Sequence, residues 1–173
     1  MIPKNYGYVI LAASTIGLEC YLTGFSIGMG ARQRYFTKEF MQENFGELHK
    51  KEFGTDAPSL GYPDSGSGFY SQKLPYKAWF ELNNAQRTHY NFVEQLGIAV
   101  PMTLCAGLAS PIYASILGFS YAAGRMLYTL GYTVDGPKGR EYGAVVANVS
   151  LIGLQALSFY SGFRVIKGLS FAK

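Results

Sequence analysis

Charged residues are scarce in this sequence. Only 15% of its 173 residues are Asp, Glu, Lys or Arg, whereas about 25% is usual for a soluble domain. This deficit argues against a disordered chain and against a basic nucleic-acid-binding protein, and a net charge of +4 calls for no anionic partner. Two cysteines and two histidines are too few for a disulfide framework or a zinc motif. We therefore expect neither a metal ion nor a nucleic-acid partner.

The few charges are distributed so that long stretches have almost none. Residues 6–30 contain a single charge, Glu19, and residues 142–163 contain none. Residues 96–125 are also uncharged until the last position. Because a helix needs about 20 mostly apolar residues to cross a bilayer, the first two stretches predict transmembrane helices.

The apolar stretch that continues to residue 132 is too long for one straight span. Pro111 divides it, since the residue before a proline is biased away from helix. This division leaves residues 96–109, which complete a span only if the helix starts near Trp79 and carries polar residues into the membrane. We therefore predict one all-α membrane domain over residues 1–173, a four-transmembrane-helix bundle with helices at about 6–30, 79–109, 111–132 and 142–163.

A long polar insert, residues 36–77, separates the first two predicted spans. Apolar residues at helical spacing predict an amphipathic helix over residues 37–53, with Thr37 as its cap and Gly54 at its end. The proline- and glycine-rich residues 56–71 predict a loop. The helix would lie on the membrane surface or dock on a neighbour, and a solvated helix with a flexible connector is the alternative.

Charged residues inside a span are costly and usually mark function. On the second helix, Arg87, Asn91 and Glu94 share one face at 100° per residue. They can form a structural ion pair, or they can hold the opposite charges of a bound zwitterion. On the first helix, Glu19 is interpreted as a buried, protonated carboxyl. A proton or ion pathway through these charges is a further alternative.

The third predicted helix carries a polar face as well. Arg125, Tyr128 and Tyr132 are spaced i, i+3 and i+7, which places them on one side of the helix. They form either part of a binding site or an interfacial aromatic belt with a snorkelling arginine. Tyr113 and Tyr121 fit the belt interpretation.

Two sequence motifs resemble a known family. The segment from Gln86 to Glu94 reads Gln-Arg-Thr-His-Tyr-Asn-Phe-Val-Glu, and its Arg-x-His-x-Asn-x-x-Glu pattern resembles the signature of the MAPEG superfamily, the membrane-associated proteins of eicosanoid and glutathione metabolism. It is most similar to the microsomal glutathione S-transferase 3 branch. Residues 124–132, Gly-Arg-Met-Leu-Tyr-Thr-Leu-Gly-Tyr, agree with this, as does the following Pro137 with its basic neighbours. The resemblance extends over nearly the whole chain.

The resemblance implies a homotrimer that binds glutathione as a co-substrate between neighbouring subunits. It implies that Arg140 stabilises the glutathione thiolate and is the catalytic residue. It also implies a set of glutathione-binding residues. That set is Arg32, Arg87, His89, Asn91, Glu94, Arg125, Tyr128 and Tyr132.

The function implied by the resemblance is an integral-membrane glutathione transferase or peroxidase. The activated thiolate would attack lipophilic electrophiles or lipid hydroperoxides that arrive through the lipid bilayer, so no protein nucleophile is needed. The alternative is a non-catalytic subunit with the MAPEG fold in a larger hetero-oligomeric complex, for example in the mitochondrial inner membrane, because fold does not determine function. Either interpretation predicts a multi-pass protein of the endoplasmic reticulum or of a mitochondrial membrane.

Overall fold

The computed structural model describes residues 2–168, so Met1 and residues 169–173 of the predicted domain lie outside the described residues. All regular elements within this range are helical. A π-helical segment, Gly24–Gly28, joins the first two α-helices, and short 3₁₀ turns occupy Ser59–Gly61 and Ser71–Lys73. The α-helices are α1 (Tyr6–Thr23), α2 (Met29–Tyr35), α3 (Lys38–Phe53), α4 (Tyr76–Ala109), α5 (Pro111–Asp135) and α6 (Glu141–Ile166).

Three helical stretches of the described chain are long and apolar enough to cross a membrane. They are Tyr6–Tyr35, Tyr76–Ala109 and Glu141–Ile166, with 30, 34 and 26 residues. Helix α5 has 25 residues but is not among them, because its tyrosines and Arg125 lower its mean hydropathy. Three of the four predicted spans are therefore candidate membrane-spanning helices by their length and composition, and the span at 111–132 stays a prediction.

The chain divides into two compact units. The first unit contains Met1–Tyr21 and Asn91–Lys173, as far as they are described, and the second contains Leu22–Tyr90. Helix α4 continues from the second unit into the first. The helices of the polar insert thus belong to the same unit as the beginning of α4.

Helix α3 in the second unit has the capped ends that its sequence predicts. The Thr37 side chain accepts a hydrogen bond from the Phe40 N–H at 3.2 Å, and Gly54 ends the helix with a left-handed φ of 72°. The apolar face of α3 is partly buried within the unit, whereas Leu48 and Phe53 at its C-terminal end are exposed. Met41 and Phe45 pack there in a core that also contains Leu82. Helix α3 therefore packs on its own chain through Met41 and Phe45, and its contact with a membrane surface or with a neighbour stays a prediction.

Small residues bring α5 and α6 close together in the first unit. A Cβ atom added to Gly124 would lie 2.6 Å from the backbone nitrogen of Ala147. One added to Gly143 would lie 2.7 Å from the Gly124 carbonyl oxygen and would also clash with the backbone of Tyr128. Such close approach of backbones through small residues is a common way of packing membrane helices.

We expect Gly143→Ala to destabilise the protein by about 1–3 kcal/mol, because the added methyl group forces the two backbones apart. Gly162→Ala on the same helix is the matched control, since nothing lies within 4 Å of a Cβ atom at that position. Its effect should be neutral or stabilising, because alanine favours helix over glycine. Thermal unfolding of both variants in mild detergent measures the difference, and equal melting temperatures would contradict this account of the packing.

Candidate functional site

A tight turn between α5 and α6 places Arg140 beside α5. Gly136 has a φ of 65°, and its N–H donates to the Tyr132 carbonyl oxygen at 3.0 Å, so the chain reverses directly after α5. Gly139 then lies against the backbone of Gly131, where a side chain on either residue would clash. Arg140, the next residue, is thereby directed towards the tyrosines of α5.

The hydroxyl group of Tyr128 connects the side chains at this end of the first unit. Asn91 Nδ2 donates a hydrogen bond to it at 2.7 Å, and Arg140 Nη1 donates another at 3.2 Å. The Arg140 guanidinium also lies 5.3 Å from the Tyr132 ring centroid. The hydrogen bond to Tyr128 raises the pKa of Arg140 above its usual value. Four sequence-predicted site residues therefore lie in contact here, namely Asn91, Tyr128, Tyr132 and Arg140. The raised pKa keeps Arg140 positively charged.

Arg125 is buried beside this group, with 2% of its surface exposed. Its guanidinium carbon lies 4.3 Å from the Phe92 ring centroid and 4.4 Å from that of Tyr128. Its Nε and Nη2 atoms are buried without a hydrogen-bond partner among the described residues. The interpretation of Arg125 as a snorkelling side chain is therefore wrong, because the guanidinium lies between aromatic rings and not at a polar surface.

Two further aromatic residues of α5 differ from each other in burial. Tyr113 is exposed, which fits a belt at the membrane interface. Tyr121 is buried in the core and donates a hydrogen bond to Gln95 Oε1 at 3.0 Å. The belt interpretation is therefore wrong for Tyr121, whose hydroxyl needed a polar partner once it was buried.

Arg87 and Glu94 both lie on α4 with exposed side chains. Neither has an ion-pair partner among the described residues. An unpaired charge that enters the membrane is costly. The two side chains are therefore available to a ligand or to a neighbouring subunit, either of which would lower that cost.

Arg32 of the second unit is held by the polar insert. It is 5% exposed, and its Nη1 donates to the backbone oxygen of Asp64 at 2.5 Å. The guanidinium carbon lies 4.0 Å from the Tyr62 ring centroid and 5.7 Å from that of Phe36. As in Arg125, the Nε and Nη2 atoms are buried without a hydrogen-bond partner in the described part of the chain.

His89 lies against the π-helical segment of the second unit. A Cβ atom on Gly24 would be 2.6 Å from His89 Nε2, so the imidazole packs directly on the glycine backbone. One turn earlier on α4, Gln86 Nε2 donates to the Gly28 carbonyl oxygen at 3.0 Å. Contact between His89 and glutathione stays a prediction.

Asp64 and Gln86 make structurally important hydrogen bonds, although neither is among the sequence-predicted site residues. An Asp followed by small residues is a signal for side-chain-to-backbone turns, and Asp64 precedes Ser-Gly-Ser-Gly. Gln86 offers no such local signal, because its partner is 58 residues away in the sequence. Within residues 2–168, no group of three or more His, Cys, Asp or Glu side chains is arranged to hold a metal ion.

The sequence of the chain also matches the model of a known protein family. The model of the MAPEG family matches residues 11–160, which is most of the chain. The match includes both units and every sequence-predicted site residue from Arg32 to Arg140. Together with the three apolar helices, it establishes that the chain is an integral membrane protein of the MAPEG family.

Proposed function

We propose that the chain is a membrane glutathione transferase or peroxidase of the microsomal glutathione S-transferase 3 type. Its family supports this, since the family includes such enzymes, although it also has non-enzymatic members. The observation that carries the proposal is the unpaired Nε–Nη2 edge of two buried arginines, Arg32 and Arg125. That edge is the one with which a guanidinium binds a carboxylate through two parallel hydrogen bonds, and glutathione has two carboxylates.

The remaining site residues suit the other groups of the tripeptide. Glutathione also has an ammonium group, for which Glu94 is the acidic partner, and Arg87 adds a further cation for the carboxylates. Asn91 and Tyr128 are linked by a hydrogen bond, so each is oriented before a ligand arrives. The proposed glutathione-binding residues are Arg32, Arg87, His89, Asn91, Glu94, Arg125, Tyr128 and Tyr132.

Arg140 is the proposed catalytic residue, because its cation favours the thiolate form of a nearby thiol. A free cysteine-type thiol has a pKa of about 8.5 and is mostly protonated at neutral pH. In the transferase reaction the thiolate sulfur forms a bond to an electrophilic carbon, and a leaving group departs with its electron pair. In the peroxidase reaction two glutathione molecules reduce a lipid hydroperoxide to an alcohol and water and become the disulfide.

The exposed charges of α4 support an oligomeric enzyme in a membrane. Arg87 and Glu94 lie in a candidate span, and a second copy of the chain would cover them together with the ligand. We infer a homotrimer in the endoplasmic reticulum or in a mitochondrial membrane. Lipophilic substrates would enter from the lipid bilayer.

Calorimetry with the purified full chain in mild detergent tests the proposal. The wild-type protein should bind glutathione at millimolar concentrations or below, and Arg87→Ala and Glu94→Ala should each abolish measurable binding. Lys77→Ala is the matched control, since this exposed lysine also lies on α4 but pairs only with Glu81 at 3.9 Å. It should bind as the wild type does.

Absence of wild-type binding would refute the enzyme and favour the non-catalytic subunit. In that case the chain should co-purify from its native membrane with a fixed set of other subunits. Purification as a homotrimer alone, together with glutathione-dependent turnover, would instead exclude that alternative. The same preparation therefore separates the two functions.

A further inference from the structure

The polar insert contains a loop that is organised by one carboxylate. Asp64 Oδ1 accepts hydrogen bonds from the N–H groups of Gly66 at 2.7 Å and Gly68 at 2.8 Å. Asp64 Oδ2 accepts a third from the Ser71 N–H at 2.7 Å. Burial alone would raise the pKa of Asp64, but these backbone donors outweigh it and hold the pKa below its usual value. The loop is thus built around an ionised side chain.

The glycines of this loop are required by its geometry. Gly66 has a φ of 110°, a backbone conformation that residues with a Cβ atom rarely adopt. A Cβ atom on Gly68 would lie 2.9 Å from the Asp64 carboxyl carbon. The sequence Asp-Ser-Gly-Ser-Gly therefore specifies one compact turn, and not the flexible connector that its composition suggests.

The same loop is attached to the helical parts of the second unit at two points. The backbone oxygen of Asp64 accepts a hydrogen bond from Arg32 Nη1 at 2.5 Å, and Tyr62 lies 4.0 Å from that guanidinium. On the other side, Asn83 Nδ2 donates to the Gly66 carbonyl oxygen at 2.5 Å. The loop therefore joins Arg32 to α4, and the Asp64 carboxylate holds the loop in the shape that makes this possible.

We propose that Asp64 is a positioning residue, which fixes the Arg32 guanidinium by its Nη1 so that the Nε–Nη2 edge is ready for a carboxylate. The inference rests on the proposed function, in which Arg32 binds a carboxylate of glutathione. An arginine that is already ordered loses little side-chain freedom when the ligand binds, so affinity rises. The insert then serves glutathione binding by ordering Arg32.

Glutathione affinity in the full-length protein in mild detergent provides the first test. Asp64→Ala should raise the dissociation constant about tenfold, which corresponds to ordering one long side chain during binding. Asp64→Asn serves if the alanine variant does not fold, because its amide cannot accept three N–H donors without placing an N–H group against one of them. Asp56→Ala, an exposed carboxylate of the same insert, is the matched control and should leave affinity unchanged.

A double-mutant cycle shows whether Asp64 acts through Arg32. Arg32→Lys keeps the positive charge but removes the two parallel N–H groups that bind a carboxylate in a bidentate manner. In that background, Asp64→Ala should cause no further loss of affinity. Independent losses that multiply in the double variant would overturn the proposal, because they would mean that Asp64 affects binding by general destabilisation.

Chemical labelling provides a second test that needs no glutathione. Phenylglyoxal, which modifies arginine, should label Arg32 slowly in the wild type and in Asp56→Ala, and at least tenfold faster in Asp64→Ala, with sites assigned by mass spectrometry. Equal labelling rates would overturn the positioning role, even if glutathione binds. Faster labelling in a protein whose wild type does not bind glutathione would instead refute the proposed function and leave the role of Asp64 in ordering Arg32 in place.

Discussion

Replacement of Arg140 by alanine is expected to lower kcat about thirtyfold at pH 7 and to weaken glutathione binding at that pH, because a cation that lowers the pKa of the bound thiol also tightens binding. Tyr128 holds the guanidinium in place by a 3.2 Å hydrogen bond, and the proposed role of this cation is to stabilise the thiolate. Without it, the bound thiol returns towards a pKa of about 8.5, so only about 3% is ionised at pH 7. Activity of the variant should therefore recover as the pH is raised towards about 9, whereas wild-type kcat stays constant over the same range.

The measurement is the pH profile of kcat at saturating glutathione. Lys138→Ala removes a neighbouring exposed cation of the same turn and is the matched control, with an unchanged profile. S-methylglutathione, which has no thiol to ionise, should bind equally well to the wild type and to Arg140→Ala. A thirtyfold loss that persists at high pH would assign Arg140 to binding or folding, and an unchanged kcat would remove it from the site.

Replacement of Arg125 by methionine is expected to weaken glutathione binding about a hundredfold without lowering the melting temperature. The two hydrogen bonds that a carboxylate would receive from this guanidinium contribute about 3 kcal/mol together, since bonds to charged groups are worth about 1.5–3 kcal/mol each. In the absence of ligand, however, its Nε and Nη2 atoms are buried without partners in the described chain. Glu19 interacts electrostatically with Arg125, but as the protonated carboxyl that the sequence indicates it adds no opposite charge. Replacing such a poorly compensated buried charge by an apolar side chain of similar size is often neutral or stabilising.

Methionine also suits the local packing, because a thioether packs well between the rings of Phe92 and Tyr128. Arg125→Lys is the second variant to compare, because it keeps a buried charge but cannot form a bidentate pair of hydrogen bonds with a carboxylate. It should therefore lose both affinity and thermal stability. If Arg125→Met unfolds at a markedly lower temperature than the wild type, the arginine is a structural residue and its assignment to the glutathione site is wrong.

The location of the helices, and the ends of α3, could be predicted from the sequence because they depend on local chemistry, whereas the first predicted helix ends at residue 30 and the helical chain continues to Tyr35. Stretches without charge indicated the apolar helices, and Thr37 and Gly54 marked both ends of α3 correctly. Pro111, which divides the long apolar stretch of the sequence, is the first residue of α5. Each of these signals acts within a few residues of the structure that it specifies.

Contacts between distant residues were much less predictable. Whether the Arg125 side chain reaches a surface depends on how α4 and α5 pack. The spacing of residues along α5 does not predict that packing. The same is true of Tyr121, whose hydroxyl found Gln95 26 residues away. The insert appeared flexible because serine and glycine dominate residues 65–68. The loop is ordered because the carboxylate of Asp64 accepts three backbone hydrogen bonds from it.

The contact between Gly131 and Gly139 makes the length of the turn between α5 and α6 a functional quantity. Surface turns usually accept insertions, because few contacts depend on the number of their residues. Here one added residue before Arg140 would displace its guanidinium by up to about 3.5 Å along the chain, away from Tyr128, while both helices could remain intact. If Arg140 activates the thiol as proposed, a longer turn would therefore remove that activation and leave the helical architecture unchanged.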